Sequence, residues 1–189
     1  MTQLKLYGGA RSRASIVQWY LEELQTPYEF VKLDMQAGEH RQPEFLALNP
    51  MGKVPVLTDG DLILSESGAI LLYLARKYDP TFPQTIEAQA EIDQWVLFAN
   101  STLAIGAFVE STRDREVPIL LTPLSDRLLQ QPFILGDVFT VADVAVGSVL
   151  AYLPMMLKLD FSPYPGVAAY LQRLSDRSAF QKTIGGRAT

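Results

Sequence analysis

Residues 49–70 read NPMGKVPVLTDGDLILSESGAI, and no other stretch limits the folds open to this chain as strongly. Two short apolar runs, 54–57 and 62–64, flank an Asp59-Gly60 turn, the pattern of a β-hairpin. Pro55 stands inside the first run. With no N–H to give a ladder, proline belongs at an edge or beside a bulge, not in mid-strand. A cis Val54–Pro55 bond would turn the chain and leave the Val54 N–H and C=O facing outward, where an extended peptide can pair with them. Glu66 and Ser67 follow at a helix start, where backbone N–H groups and the macrodipole favour an anion. A peptide-pairing edge beside such a helix start suits a small ligand with a peptide backbone and a carboxylate. An ordinary hairpin and capped helix is the alternative on these residues alone.

The flanking sequence supplies the rest of a small α/β unit. Leu4 and Leu6 alternate with Lys5 and Tyr7, which predicts a strand that Gly8-Gly9 breaks. A helix starting at Ser12 or Arg13 carries Ile16, Val17, Trp19, Tyr20 and Leu24 at helical spacing and ends near Thr26-Pro27. Residues 28–33 make a second strand, parallel to the first because a helix connects them. A polar loop (34–42), a short helical piece (43–48), the hairpin and a helix over 65–78 complete the order βαβαββα, that of the thioredoxin fold. Two prolines within residues 79–83 stop the helix and stiffen a linker. Beyond it the periodicity is helical throughout. A helix over 86–101, or on to 109, carries Ile92, Trp95, Val96 and Phe98; 118–129 follows after an interruption at 111–117; 141–157 is almost wholly apolar and is the buried central helix; 165–174 and 178–183 close the chain. Thr140 and Asp143 fit a capping box that starts the central helix, with Phe139 ahead of the cap as a hydrophobic staple. The predicted architecture is α/β plus all-α: a thioredoxin-like domain over 1–79 and a helical bundle over 85–189, joined by a linker at 79–84.

Composition removes several functions. The net charge is −5, with no block of lysine or arginine, which disfavours nucleic acid as a partner. No apolar run approaches the roughly 20 residues that span a membrane, and no apolar leader precedes the first strand, so a cytoplasmic protein with no membrane partner is expected. The chain has no cysteine. Disulfides, zinc–thiolate sites and a protein thiol nucleophile are therefore excluded, and with them thioredoxin-type dithiol exchange. If this chain performs thiol chemistry, the thiol belongs to a ligand. Nothing resembles a metal site or a phosphate loop.

The V-P-V-L run with E-S twelve residues after the valine, the segment 4–24 (LKLYGGARSRASIVQWYLEEL) and the segment 136–144 (GDVFTVADV) together resemble the cytosolic glutathione transferases over nearly the whole chain. Ser12-Arg13-Ala14-Ser15 and the short length are similar to the chi class, and residues 38–50 (GEHRQPEFLALNP) to the phi class. The resemblance implies an enzyme that binds glutathione as co-substrate, with no permanently bound cofactor. It would conjugate the thiolate to small electrophiles in detoxification, with a glutathione peroxidase side activity, and would act as a homodimer. A non-catalytic, ligand-binding transferase-like module is the alternative.

The resemblance also assigns residues. Ser12 occupies the place of the sulfur-activating serine; its other reading is an N-cap, and the two roles are expected to compete for one hydroxyl proton. Tyr7 is the second candidate, at the position of tyrosine-type members. Arg11 and Arg13 are third, as cations that would depress a thiol pKa. Val54 pairs its backbone with the cysteinyl unit, Pro55 sets that geometry, and Glu66 and Ser67 hold the γ-glutamyl amine and carboxylate. Lys53, Arg41 and His40 face the glycine carboxylate. The electrophile pocket is expected from Ala10, Arg11, Leu103, Ala107 and Phe108, and the interruption at 111–117 implies truncated helices and an open pocket.

Overall fold

The computed structural model describes residues 4–10 and 12–187. The chain forms two compact units, Met1–Pro80 and Thr81–Thr189. In the first, β1 (Lys5–Gly9), α1 (Ala14–Glu23), β2 (Glu29–Leu33), α2 (Pro43–Leu46), β3 (Val56–Asp59), β4 (Leu62–Ser65) and α3 (Ser67–Tyr78) follow the predicted order. The sheet order is β2-β1-β3-β4. β1 and β2 are parallel, and β3 runs antiparallel to both β1 and β4. Pro55 precedes β3, so no ladder bond is lost to it, and the Val54–Pro55 bond is cis. Leu6, Val17, Leu21, Leu57, Ile70, Leu71 and Leu74 are fully buried and form the core on which α1 and α3 pack.

Three local expectations are corrected. The first strand is not broken at Gly8-Gly9: both continue β1, opposite Lys32 and Leu33. The glycines are there for close approach. A Cβ on Gly8 would lie 2.2 Å from the Ala14 Cβ, and one on Gly9 would lie 2.2 Å from the Met35 Cγ. The polar loop contains a short 3₁₀ turn, Glu39–Arg41, entered through Gly38 at φ 77°. The first helix begins at Ala14, with Arg13 at its N-cap position.

At the hairpin end of the sheet, the Asp59 side chain accepts from the Lys77 ammonium (2.6 Å) and the Tyr73 (2.8 Å) and Tyr78 (2.6 Å) hydroxyls. Burial alone would push this carboxyl up, but the three donors outweigh it and hold the carboxyl below its usual range. A depressed acid contributes stability above its unfolded pKa, about 3.9, and loses it as pH falls through the folded value. Asp59→Asn is therefore expected to cost about 2 kcal/mol at pH 7, discounted because Lys77 is partly solvated. The gap from the parent should narrow as pH drops below ~4, which urea titrations at pH 7 and pH 3.5 check.

In the second unit, α4 (Ile86–Leu97) passes through a π-helical segment, Phe98–Leu103, into α5 (Ala104–Phe108). Then come α6 (Glu110–Gln130), α7 (Val141–Leu157), α8 (Pro165–Ser175) and α9 (Ser178–Lys182). The expected interruption at 111–117 is absent: these residues are helical, and Pro118 and Pro123 sit inside one continuous α6. Val117, Leu121, Leu124 and Leu128 bury one stripe, enough to carry the helix past two missing N–H groups. Arg113 shows what the charged segment does. It donates to the carbonyls of Ala107 (2.7 Å) and Phe108 (3.3 Å), satisfying the end of α5. α5 packs close against α6 at Gly106, where a Cβ would lie 2.6 Å from Leu120. The premise of truncated helices, and the open pocket drawn from it, falls with the interruption.

α7 is the buried centre of this unit, with residues 141–151 buried without a break. Thr140 and Asp143 form the capping box: Ala142 N–H donates to Thr140 Oγ1 (3.3 Å), and Thr140 N–H to Asp143 Oδ2 (2.8 Å). The Phe139 ring meets Phe133 edge-on and lies under the Arg177 guanidinium.

Candidate active site

The strand register carries distant parts of the chain to one end of the sheet. Leu33 of β2 lies opposite Gly9, the last residue of β1. Tyr7 lies opposite Val56, which opens β3, and Val56 lies opposite Ser65, which closes β4. Just beyond that end follow, strand by strand, Asp34-Met35, the turn from Ala10 to Ser12, Val54-Pro55 and Glu66-Ser67. α1 and α3 both start there, so two helices, of 10 and 12 residues, present their N-termini to the same end. Backbone donors and positive helix ends are thus gathered around one place, which suits a ligand with anionic groups.

Ser12 is partly buried in the β1–α1 turn. Its Oγ accepts from the Gly9 N–H (3.2 Å) and the Ala14 N–H (3.3 Å), and its own N–H donates to the Gly9 carbonyl (3.3 Å). The expected competition for one hydroxyl proton is corrected for these bonds: those from Gly9 and Ala14 use oxygen lone pairs, whereas activating a sulfur uses the proton. Tyr7 lies within β1, and its ring packs against Phe45 of α2 with centroids 6.3 Å apart. Arg11 lies outside the described residues, and Arg13 is exposed.

Pro55 is buried and Val54 half-buried. The turn before them is built by Asn49, a residue the sequence reading passed over. It is 6% exposed, and its Nδ2 donates to the Lys53 carbonyl (2.8 Å) while its Oδ1 accepts from the Met51 N–H (3.2 Å). Gly52, at φ 60°, closes the turn against the 3₁₀ segment: a Cβ there would lie 3.1 Å from the His40 carbonyl and 4.0 Å from the Arg41 Cγ. That contact brings Lys53 alongside the His40-Arg41 pair. Lys53 and Arg41 are exposed, and His40 is half-buried with its Nδ1 out of solvent and, among the described residues, without a hydrogen-bond partner. The only signal in the sequence for Asn49 was its place in an Asn-Pro turn.

Glu66 is exposed and Ser67 is buried. Glu66 takes φ 69°, ψ 117° immediately before α3, a conformation rare for a residue with a side chain. Ala10 lines a cavity of about 510 Å³ with Leu33, Asp34, Met35 and Glu39 among its walls. Of the walls, the sequence pointed only to Ala10; Met35 and the other wall residues, at the end of β2 and in the loop after it, carry no sequence signal for a pocket. Of the other pocket residues expected from the sequence, Arg11 lies outside the described residues, and Leu103, Ala107 and Phe108 belong to the second unit. Leu103 and Ala107 are core residues, 0% and 1% exposed, four apart on one packed helical stripe. They offer no open surface. Phe108 is half-buried.

A thioredoxin-like α/β unit, with a helix-start site at one end of its sheet, followed by an all-helical unit is the class of protein defined here. The family model described as glutathione S-transferase, N-terminal domain, matches residues 2–76, and that for the C-terminal domain matches residues 120–173. Glutathione S-transferase 3 of Zea mays is 33% identical over 97% of this chain and 94% of its own length. Glutathione S-transferase GstB of Escherichia coli (strain K12) is 31% identical over 87% of this chain and 88% of its own. Among solved structures, the theta class glutathione S-transferase of Xanthomonas axonopodis pv. citri, with glutathione bound, superposes with a TM-score of 0.83 at 28% identity, covering 97% of this chain and 98% of that one. The chain belongs to the glutathione S-transferase family. These relatives span plant and bacterial proteins, so they establish the family and not a class within it.

Proposed function

We propose that this protein binds glutathione at the end of its sheet, holds the thiol as thiolate and transfers it to small electrophiles. The observation that carries the reading is the convergence of Val54-Pro55, Glu66-Ser67 and the Ser12 turn through the strand register. In this reading the Val54 backbone pairs with the cysteinyl unit. Glu66 and the start of α3 at Ser67 hold the γ-glutamyl end, and Lys53, Arg41 and His40 face the glycine carboxylate.

The energetics need no protein base. A thiol of pKa about 8.5 is only a few per cent ionised at pH 7, and lowering it by about two units requires ~2.7 kcal/mol of differential stabilisation. A helix N-terminus supplies about 0.3–1 kcal/mol, and up to ~2 when partly buried. A hydroxyl donating to the thiolate supplies about 1.5–3 kcal/mol. The field of α1 with the Ser12 hydroxyl therefore covers the requirement, and proximity to the bound electrophile supplies the rest of the acceleration. The cavity at Ala10 and Met35 is the electrophile side in the first unit; Leu103 and Ala107, being core, have no part in it.

Purified protein should turn over a chloronitrobenzene or an isothiocyanate with glutathione, and Glu66→Ala should raise the KM for glutathione about tenfold, the cost of one lost charge-assisted contact. Glutathione binding without turnover across a panel of electrophiles would leave the ligand-binding module instead. The reading includes a cytoplasmic homodimer: among the described helices none is long and apolar enough to cross a membrane. Edge strand β4 exposes Leu62 and Ile63, apolar surface suited to a second copy. Light scattering at micromolar concentration should give twice the 21.0 kDa chain mass.

A further inference from the structure

Met35 connects two features that the functional reading treats separately. It lines the cavity beside Ala10, and it lies on Gly9 so closely that a Cβ there would be 2.2 Å from its Cγ and 2.8 Å from its sulfur. Gly9 in turn donates its N–H to the Ser12 Oγ. A thioether therefore forms both the cavity wall and the support of the turn that holds the candidate hydroxyl. In a chain without cysteine, the methionine sulfurs are the oxidisable side-chain sulfurs.

We infer that Met35 is a site of oxidative modification by hydroperoxides that enter the cavity, and that its sulfoxide switches the enzyme to a low-affinity form. The chemistry closes on the two reactants. The thioether sulfur attacks the hydroxyl-bearing peroxide oxygen, an S–O bond forms as the O–O bond breaks, and the hydroxysulfonium passes its proton to the departing alkoxide. Sulfoxide and alcohol result; sulfur loses the two electrons that the peroxide gains. The product is polar and larger at sulfur, and the side facing Gly9 has no room for an added oxygen. The oxygen therefore adds on the cavity face, where it narrows the cavity and sets a sulfoxide dipole beside the Gly9–Ser12 turn that the side chain supports. Methionine sulfoxide reductase activity would restore the starting form.

This inference rests on the cavity's being the electrophile side, and its test separates the two. The protein is treated with cumene hydroperoxide in the absence of glutathione, and each methionine is followed by peptide mass spectrometry. Met51, Met156 and Met155 are 78%, 67% and 45% exposed, while Met35 is only part-exposed. They serve as internal standards for oxidation governed by exposure alone. Met35 is expected to oxidise at least as fast as Met156 with this bulky apolar peroxide, and to be protected about tenfold by a saturating S-alkyl glutathione that leaves the other three unchanged. The KM for the electrophile should rise about tenfold, the size of one misfitted contact, and recover on reduction. Met35→Leu should keep its own starting KM after the same treatment. Oxidation ranked simply by exposure, or an equal loss in Met35→Leu, overturns the inference. Absence of turnover in the untreated protein overturns the transferase reading while leaving the oxidation map to judge Met35.

Discussion

Ser12→Ala is expected to lower kcat/KM for glutathione conjugation by about a hundredfold at pH 6.5 and to raise the kinetic pKa of the bound thiol by one to two units. The size follows from one hydrogen bond to a charged sulfur, about 1.5–3 kcal/mol, at 1.4 kcal/mol per tenfold in rate. The sign fixes the pH dependence. An acid stabilised in its charged form titrates lower, so removing the donor raises its pKa, and the deficit should shrink as pH rises towards 9 and the thiolate forms unaided. Ser12 Oγ also accepts from Gly9 and Ala14, and losing these turn bonds costs about 1 kcal/mol of stability. A thermal melt beside the kinetics keeps the two losses apart: lower stability with an unmoved thiol pKa would reduce Ser12 to a turn residue. Tyr7→Phe is the companion measurement. Tyr7 packs on Phe45 within β1, and an unchanged pKa in both variants would assign activation to backbone donors and the field of α1.

The largest stability effect is expected at Asp143. Its side chain is fully buried and accepts from the Ile134 N–H (2.8 Å), the Thr140 N–H (2.8 Å), the Tyr170 hydroxyl (2.9 Å) and the Thr140 hydroxyl (3.2 Å). Burial pushes its pKa up while these four donors pull the other way, and burial prevails. Asp143→Ala strands buried donors from three segments at once. The expected cost is about 3–5 kcal/mol, or roughly 10 °C in the midpoint for a chain of this size. Tyr170→Phe, which removes one donor and leaves the carboxylate its other three, should cost only ~1 kcal/mol. Urea denaturation distinguishes them, and a loss below ~1 kcal/mol for Asp143→Ala would show that this carboxylate does not organise the start of α7.

The sequence disclosed most where local chemistry and fold agree. Thr140 and Asp143 announced a helix start because a capping box is written in four consecutive residues, and the apolar run that follows can only be buried. The hairpin and the break around Pro80 were visible for the same reason. Close approach was not visible. Gly8 and Gly9 look like breakers until Ala14 and Met35 are seen against them, and residues 111–117 look like an interruption until Arg113 is seen closing α5. Among the candidate site residues, Ser12, Val54, Pro55, Glu66 and Ser67 fall at one sheet end because β3 pairs with both neighbours. Leu103 and Ala107 were named for the pocket by the resemblance, which carries no burial, and both are buried. Asn49 and Met35 act through what they touch, and contacts are not written in a single chain.

Because the segments proposed to hold glutathione hang from three different strands, the site is not complete until β3 is zipped between β1 and β4. Ligand affinity should thus behave as a gauge of how well that corner is closed: any substitution that lets the end of β3 fray would weaken glutathione in proportion to the open fraction, with no contact to the ligand altered. Conversely, saturating glutathione should slow amide exchange at Val56 and Tyr7 more than at Asp59, at the far end of the same strand.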